Sequence, residues 1–380
     1  MTAMRIEPFL MERMQSTWEN IVEYNLSESG VHPMSIKELV GEDSRMVDRL
    51  LNQELNYGQS NGTIELRQRI AAIYPEATID HVLATNGTSE ANFVTIWNLV
   101  DAEDHVVFML PNYMQIWGIA RGFARNVGAF HLREENGWHP DLEELKRIVN
   151  SKTKVIAVCN PNNPTGSILT EEEMSEIVRI AASAGAWLIA DEVYQGAERE
   201  AEITATFWGR YEKVIVTNGL SKAFGLPGIR IGWVVAPPDL IARLWSYHDY
   251  TTIGPSRLSD ILAEYALIPS NRARIRKRTR NILQTNYPIL KDWIDRHAET
   301  FSLVTPQAGA IAYLRYSLNM NSTELVDKLL HEKSVLIVPG DHFGMDHYLR
   351  IGYGPPAEYL RTGLDRIHST LVDVGAKHFR

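Results

Sequence analysis

From about residue 60 to 250 the chain alternates between two hydrophobic periods, and this alternation constrains the fold more than any other feature. Short apolar, β-branched runs (HVLAT, DHVVFML, KVIAVCN, AWLIADEV, KVIVTNG, IGWVVAP) are separated by amphipathic stretches (TSEANFVTIWNLV, DLEELKRIVN, EEEMSEIVRIAASAG). Near-continuous apolar runs read as strands buried on both faces, and the spacers read as helices covering them. The pattern predicts an α/β fold with a mostly parallel sheet between two helical layers. Residues 1–50 read as an irregular arm followed by a short helix, broken by Gly30 and Pro33. Residues 255–295 read as one long helix, and the tail mixes strands (GAIAYLRY, SVLIVPG, YLRIGYG) with helices (STELVDKLLHE, AEYLRTGLDRIHSTLVDVG). The expected organisation is an arm (1–50) joining a small domain, a large domain (51–290) and a smaller α+β domain (291–380).

Bulk properties remove several alternatives. At 380 residues the chain exceeds one small core and suits a large domain plus a smaller one. The net charge of −9 and pI of about 5.8 disfavour nucleic-acid binding. Cys159 is the single cysteine, so no intrachain disulfide forms, and no Cys/His cluster has zinc spacing. The start, MTAMRIEPFLMERMQ, lacks the apolar core of a signal peptide, and no apolar run reaches the roughly 20 residues of a membrane span. The expectation is a cytoplasmic enzyme with no metal.

In parallel sheets, ligands bind at the carboxyl ends of strands. After HVLAT comes Asn86-Gly87-Thr88-Ser89-Glu90. A glycine turn opening a helix offers free N–H groups and the positive end of the helix dipole to an anion. A plain Ser/Thr N-cap has the same pattern. Tyr113 follows DHVVFML, where its ring is placed to stack on a flat heterocycle or simply to pack. The turn Asn160-Pro161-Asn162-Asn163-Pro164-Thr165-Gly166 carries amides able to donate to a cofactor oxygen. Asp191 ends an apolar strand, where a carboxylate needs either a positive partner, such as a protonated pyridine nitrogen, or a capping role. Tyr194 lies three residues on. Lys222 and Arg230 share a Gly/Pro-rich apolar stretch, SKAFGLPGIRIGW; lysine forms imines with aldehydes, and arginine grips phosphate. Arg350 sits inside the apolar run LRIG, where it needs a buried anion: a substrate carboxylate or a structural acid serves equally.

In order and spacing, NPNNPTG, ADEVY, SKAFGLPGIRIGW and LRIGYG resemble the signatures of the fold-type I pyridoxal-phosphate (PLP) enzymes, the aspartate aminotransferase superfamily. The resemblance runs from about Asn25 to the C-terminus. It implies a mostly parallel seven-stranded sheet and PLP as cofactor. It implies that Lys222 forms the imine with PLP and shuttles protons, and that Asp191 pairs with the pyridine nitrogen. Tyr194 and Asn163 then bond the ring's 3-oxygen, while Tyr113 and Val193 flank the ring. The phosphate falls to the Gly87-Thr88-Ser89 turn, Ser221 and Arg230. Arg350 takes the substrate α-carboxylate, with Asn163 and the Gly30 region closing over it. Tyr57 matches a tyrosine that reaches the neighbouring subunit's phosphate, which implies a homodimer with shared sites. One departure stands out: the family often has serine three residues before the lysine, and here that residue is Gly219.

The same machinery serves transamination, elimination, replacement and decarboxylation, so the fold does not choose the reaction. The arm Ser29-Gly30-Val31, followed by Ser35-x-x-Glu38-Leu39, resembles the capreomycidine synthase group and the related enduracididine-forming cyclases. That resemblance implies a hydroxylated arginine substrate, loss of its hydroxyl and ring closure by its guanidine. Glu28 is the candidate acidic partner for the guanidine, and His32 the candidate acid or base for the hydroxyl; both residue types also occur as solvated loop residues. The alternative is an ordinary transaminase using a 2-oxo acid.

Overall fold

A computed structural model describes residues 6–200 and 202–375, with side chains as far as residue 371. The first five residues of the expected arm, judged part of a start without a signal-peptide core, and the last five of the expected small domain lie outside the described residues.

The large sheet runs in the spatial order Val82–Asn86, Ile231–Val235, Val214–Gly219, Trp187–Asp191, Thr153–Cys159, His105–Leu110, Asn126–Arg133, His139–Pro140. Five neighbouring strands, from Val214–Gly219 to Asn126–Arg133, pair in parallel. Ile231–Val235 pairs antiparallel with both of its neighbours. The seven expected strands are joined by an eighth, two residues long, antiparallel at the edge. Asn126–Arg133 gave no apolar run in the sequence because it lies next to that edge and is buried at only two of its positions.

Alternate residues of the strands feed two apolar layers. Leu83, Val106, Phe108, Ile189 and Ile215 face one core, with Ala91 and Ile96 of helix Thr88–Leu99. Ala84, Val107, Ile156, Leu188 and Val216 face the other, with Met174 and Ile177 of helix Glu171–Ala184. Each large apolar side chain among them contributes about 1.5–3 kcal/mol by leaving water. Helix Glu171–Ala184 starts on a capping box of Thr170 and Glu173 and stops at Gly185 in the left-handed conformation.

The expected helix over 255–295 is two helices, Arg257–Ala266 and Pro269–Arg296. Pro269 lacks the N–H to continue the first helix and suits the first turn of the second. The arm also differs from expectation, since Leu10–Trp18 is a helix. Beyond it, Tyr24–Asn25 pairs in parallel with Val335–Leu336, and Leu26 N–H donates to Leu336 O at 2.8 Å. The second main sheet is antiparallel, in the order Phe301–Leu303, Ile311–Tyr316, Tyr348–Gly352, Val338–Pro339. The arm passes from its own two-stranded pairing, along the antiparallel sheet where Gly352 N–H donates to Leu26 O at 2.7 Å, to Gly30 beside Lys222. No described helix is long and apolar enough to cross a membrane.

Candidate active site

A cavity of about 340 Å³ opens at the carboxyl ends of the central strands. Thr88, Ser89, Tyr113, Asn163, Asp191 and Tyr194 line it, together with Ser221, Lys222, Arg230, Arg350 and Glu28. Lys222 follows strand Val214–Gly219 on a tight turn closed by the Gly225 N–H on Lys222 O at 3.2 Å. Its Nζ lies 3.7 Å from Glu28 Oε2. The lysine's charge holds the Glu28 carboxyl below its usual range, with burial opposing the effect and Arg350 adding to it.

One end of the cavity is built for an anion. Gly87, at φ +79°, precedes helix Thr88–Leu99, and a Cβ there would lie 2.3 Å from Arg230 Nη2. Only glycine lets the guanidinium approach the helix start this closely. Arg230 Nη1 donates to Pro227 O at 3.0 Å and to Ser221 Oγ at 3.4 Å, which fixes the fork towards the cavity. Thr88 Oγ1 is buried with no hydrogen-bond partner among the described residues. The glycine at position 219 has a steric cause: a Cβ there would lie 2.6 Å from Thr88 Oγ1 and 2.9 Å from Ile231 O. The threonine hydroxyl fills the space in which a serine side chain would stand.

Two adjacent buried acids, Asp191 in the cavity lining and Glu192 outside it, differ in how far their hydrogen bonds are filled. Glu192 accepts from Thr206 Oγ1 at 2.8 and 2.9 Å and from Phe207 N–H at 2.8 Å, which ties down residues 206–207. Asp191 receives only Val193 N–H at 3.1 Å and a long bond of 3.4 Å from Asn92 Nδ2. Burial pushes the Asp191 carboxyl up to about 6. It is an under-satisfied carboxylate facing a cavity, which suits a cationic nitrogen.

At the opposite end Arg350 is fully buried. Its Nη1 donates to Asn163 Oδ1 at 2.9 Å and its Nη2 to Ser27 O at 2.6 Å, while Nε has no partner among the described residues. No described carboxylate pairs with it directly, so its charge is available to an incoming anion.

A further wall was not foreseen. Glu12, Gln15 and Glu19, on and just after helix Leu10–Trp18, line the cavity beside Glu28. Gln15 Nε2 donates to Ser27 O at 3.1 Å and Ser27 Oγ at 3.0 Å, pinning the helix to the arm. Tyr113 Oη donates to Glu12 Oε1 at 2.8 Å, and its ring meets Phe9 edge-on at 5.0 Å. Burial first, then Glu28 and Glu12, raise the Glu19 carboxyl. The sequence did hold a signal: Met11, Gln15 and Trp18 recur at helical spacing, and Glu12 and Glu19 are seven apart on one face.

Three anticipated residues lie elsewhere. Gly30 packs on Lys222, so that a Cβ on it would lie 3.5 Å from Lys222 Cα and Cδ, but it lines an adjoining recess of about 290 Å³. His32 lines that same recess, and its Nδ1 sits 3.0 Å from Gly354 O. His32 thus stands apart from the main cavity, with its backbone and ring both engaged with Gly354. Tyr57 is 91% exposed and does not line the chain's own cavity.

The anion cup, the under-satisfied acid, the lysine and the buried arginine accommodate a phosphorylated pyridine aldehyde and an α-amino acid. Fold and site together define a fold-type I PLP enzyme. The match to the aminotransferase class I and II family spans residues 43–367, and the chain belongs to that family, which uses pyridoxal 5′-phosphate. It is 30% identical to capreomycidine synthase of Streptomyces vinaceus over 358 residues, covering 91% of this chain and 89% of that one. A PLP-dependent aminotransferase from Streptococcus suis superposes with a TM-score of 0.92 at 31% identity, covering 98% and 99% of the two chains. The PLP-dependent cyclase OrfR superposes with a TM-score of 0.88 at 27% identity, covering 97% and 98%.

Proposed function

We propose that this enzyme acts on the α-carbon of an amino acid with a cationic, guanidine-bearing side chain, as a cyclase on a hydroxylated arginine. The observation that carries this reading is the make-up of the cavity lining, where Arg350 is joined by three carboxyls, those of Glu12, Glu19 and Glu28. An α-carboxylate pairs with the arginine, and a guanidinium with the carboxyls. The similarity to capreomycidine synthase and to a PLP-dependent cyclase supports the same choice.

PLP, when bound, supplies an electron sink for negative charge on the substrate's α-carbon. Its phosphate would be held by the cup of Gly87, Thr88, Ser89, Ser221 and Arg230. Asp191 would pair with its pyridine nitrogen, Asn163 and Tyr194 would donate to its 3-oxygen, and Tyr113 and Val193 would flank its ring. Lys222 Nζ anchors the cofactor and moves the proton on the α-carbon. Arg350 and Asn163 orient the carboxylate, and Gly30 closes the arm over Lys222. Glu19 lines the cavity, and burial and its acidic neighbours raise its carboxyl, so it is the group proposed to give a proton to the departing hydroxyl, which leaves as water. The guanidinium then gives a proton to the Glu19 carboxylate and its nitrogen adds to the carbon the hydroxyl left, while Lys222 returns a proton to the α-carbon.

Tyr57, Leu55 (84% exposed) and Tyr250 (83% exposed) each leave apolar surface uncovered, as expected where a second copy of the chain packs, whose cofactor phosphate Tyr57 would reach. We read residues 1–50 as an arm of the small domain, 51–290 as the large domain and 291–380 as the small one. Strand pairing of the arm supports this, and helix Pro269–Arg296 spans the joint.

The second reading is an amino-acid transaminase, favoured by the Arg350–Asn163 clamp, which needs only an α-carboxylate. Incubation with hydroxyarginines and arginine, with and without 2-oxoglutarate, separates the two. The cyclase gives a cyclic product one water lighter and needs no keto acid. Consumption of 2-oxoglutarate, with the cofactor driven to its amine form, would establish the transaminase instead.

A further inference from the structure

The helix that presents the phosphate cup is anchored from behind by a buried cluster with no role in the chemistry above. Glu90, in the first turn of helix Thr88–Leu99, is buried, as is His248 at the end of helix Pro238–His248. Glu90 Oε2 accepts from Asn86 N–H at 2.6 Å and from His248 Nε2 at 2.9 Å. A carboxylate only accepts, so Nε2 carries the hydrogen. Glu90 Oε1 accepts from Thr252 Oγ1 at 2.7 Å and from Thr251 Oγ1. Asn86 Nδ2 donates in turn to Thr252 Oγ1 at 2.7 Å.

These bonds have an unusual electrostatic setting. A carboxylate one turn from the site that is to receive a phosphate repels it, so this position is costly for an anion unless the carboxylate does other work. Burial works against its charge, yet the donors that converge on it prevail and bring it down to about 2. The helix N-cap is Gly87, which has no side chain to fix the turn, and no side-chain cap bond forms there. Glu90 fixes the turn instead, by reaching back to the Asn86 N–H, while His248 and the two threonines fix Glu90.

We infer that Glu90 and His248 are positioning residues for the phosphate turn: they hold Asn86–Ser89 in the conformation that aims its N–H groups at the cofactor's phosphate. The inference rests on reading Gly87–Ser89 as the phosphate turn. Neither side chain lines the cavity, so both act through the turn alone.

The test compares PLP with pyridoxal, which lacks the phosphate, for binding to enzyme stripped of cofactor and reloaded, with thermal unfolding measured alongside. In His248→Leu, PLP affinity falls about tenfold while pyridoxal affinity stays within about twofold, since a charge-assisted bond is lost only behind the phosphate turn. His248→Gln, which keeps a donor, recovers most of the loss. Thr252→Val, on the exposed 249–253 segment, gives a smaller loss of the same kind and serves if His248→Leu does not fold. Equal losses for PLP and pyridoxal, or unchanged PLP affinity in the variants, would overturn the positioning role. A wild-type enzyme that binds both compounds equally would overturn the phosphate-turn reading itself, and the positioning role with it.

Discussion

Two walls of one cavity are built in different ways. The floor, with Lys222, Asp191, Arg230 and the Gly87–Ser89 turn, hangs from the ends of buried strands whose registers are set by the sheet. The acidic wall comes from helix Leu10–Trp18 and the arm behind it, tied down by Gln15 on Ser27 and by Glu12 on Tyr113. A rigid sheet suits chemistry that tolerates little displacement. A peripheral helix can change its side chains without disturbing that chemistry. On the proposed reading the cofactor and the α-proton fall to the floor, and the substrate's side chain to the wall.

The largest expected effect tests the floor. Lys222→Ala lowers turnover by more than about 10⁴-fold and removes the visible absorbance of bound PLP. Normal turnover would break the division at its base. Asp191→Asn comes next, lowering kcat by about 10²–10³-fold. The same variant separates function from stability. Asp191 is pushed from 3.8 to about 6 in the folded chain. An acid with a raised folded value destabilises the fold as pH climbs from about 4 to 6, because the unfolded chain loses its proton first. Without cofactor, Asp191→Asn is therefore the more stable protein above pH 6, by at most about 3 kcal/mol, and no different below about pH 4. Thermal unfolding at pH 4 and pH 8 reads this directly, and a variant less stable at pH 8 contradicts it.

The wall is tested by smaller changes. Glu12→Gln with Glu19→Gln raises KM for a guanidino substrate about 10–100-fold and leaves the PLP spectrum unchanged. A spectral change would show that the two walls are not separate. Tyr57→Phe weakens PLP binding about tenfold if the partner's phosphate accepts from the hydroxyl, and thermal stability of the wild type falls on dilution. A fully active monomer would remove the shared site.

The floor was legible in the sequence because each functional residue follows an apolar run that must be a buried strand. Asp191 and Lys222 were placed by that rule and Arg350 by being a charge within an apolar run, and the cavity brings the three together. Of the acidic wall only Glu28 was placed; Glu12 and Glu19 were not, because helix Leu10–Trp18 is short and contributes only Met11 and Gln15 as buried residues. So weak an apolar stripe looks like an irregular arm. Tertiary bonds, Gln15 to Ser27 foremost, bring it to the site, and these link residues twelve apart that share no local pattern. His32 lies beside Gly30 in the adjoining recess because its ring and backbone both meet Gly354, 322 residues on, a contact with no local pattern. The Gly219 departure became intelligible only through Thr88, a residue on another strand's loop.

The central claim is that the acidic wall reads a positive charge. Its most direct test is binding of L-arginine and L-citrulline to the holoenzyme, followed through the absorbance of bound PLP. The two side chains match in length and shape and differ in charge. The account predicts that arginine binds about 10–100-fold more tightly, and that Glu19→Gln with Glu28→Gln reduces the ratio to near one. Equal affinity of the wild type for both amino acids would contradict it.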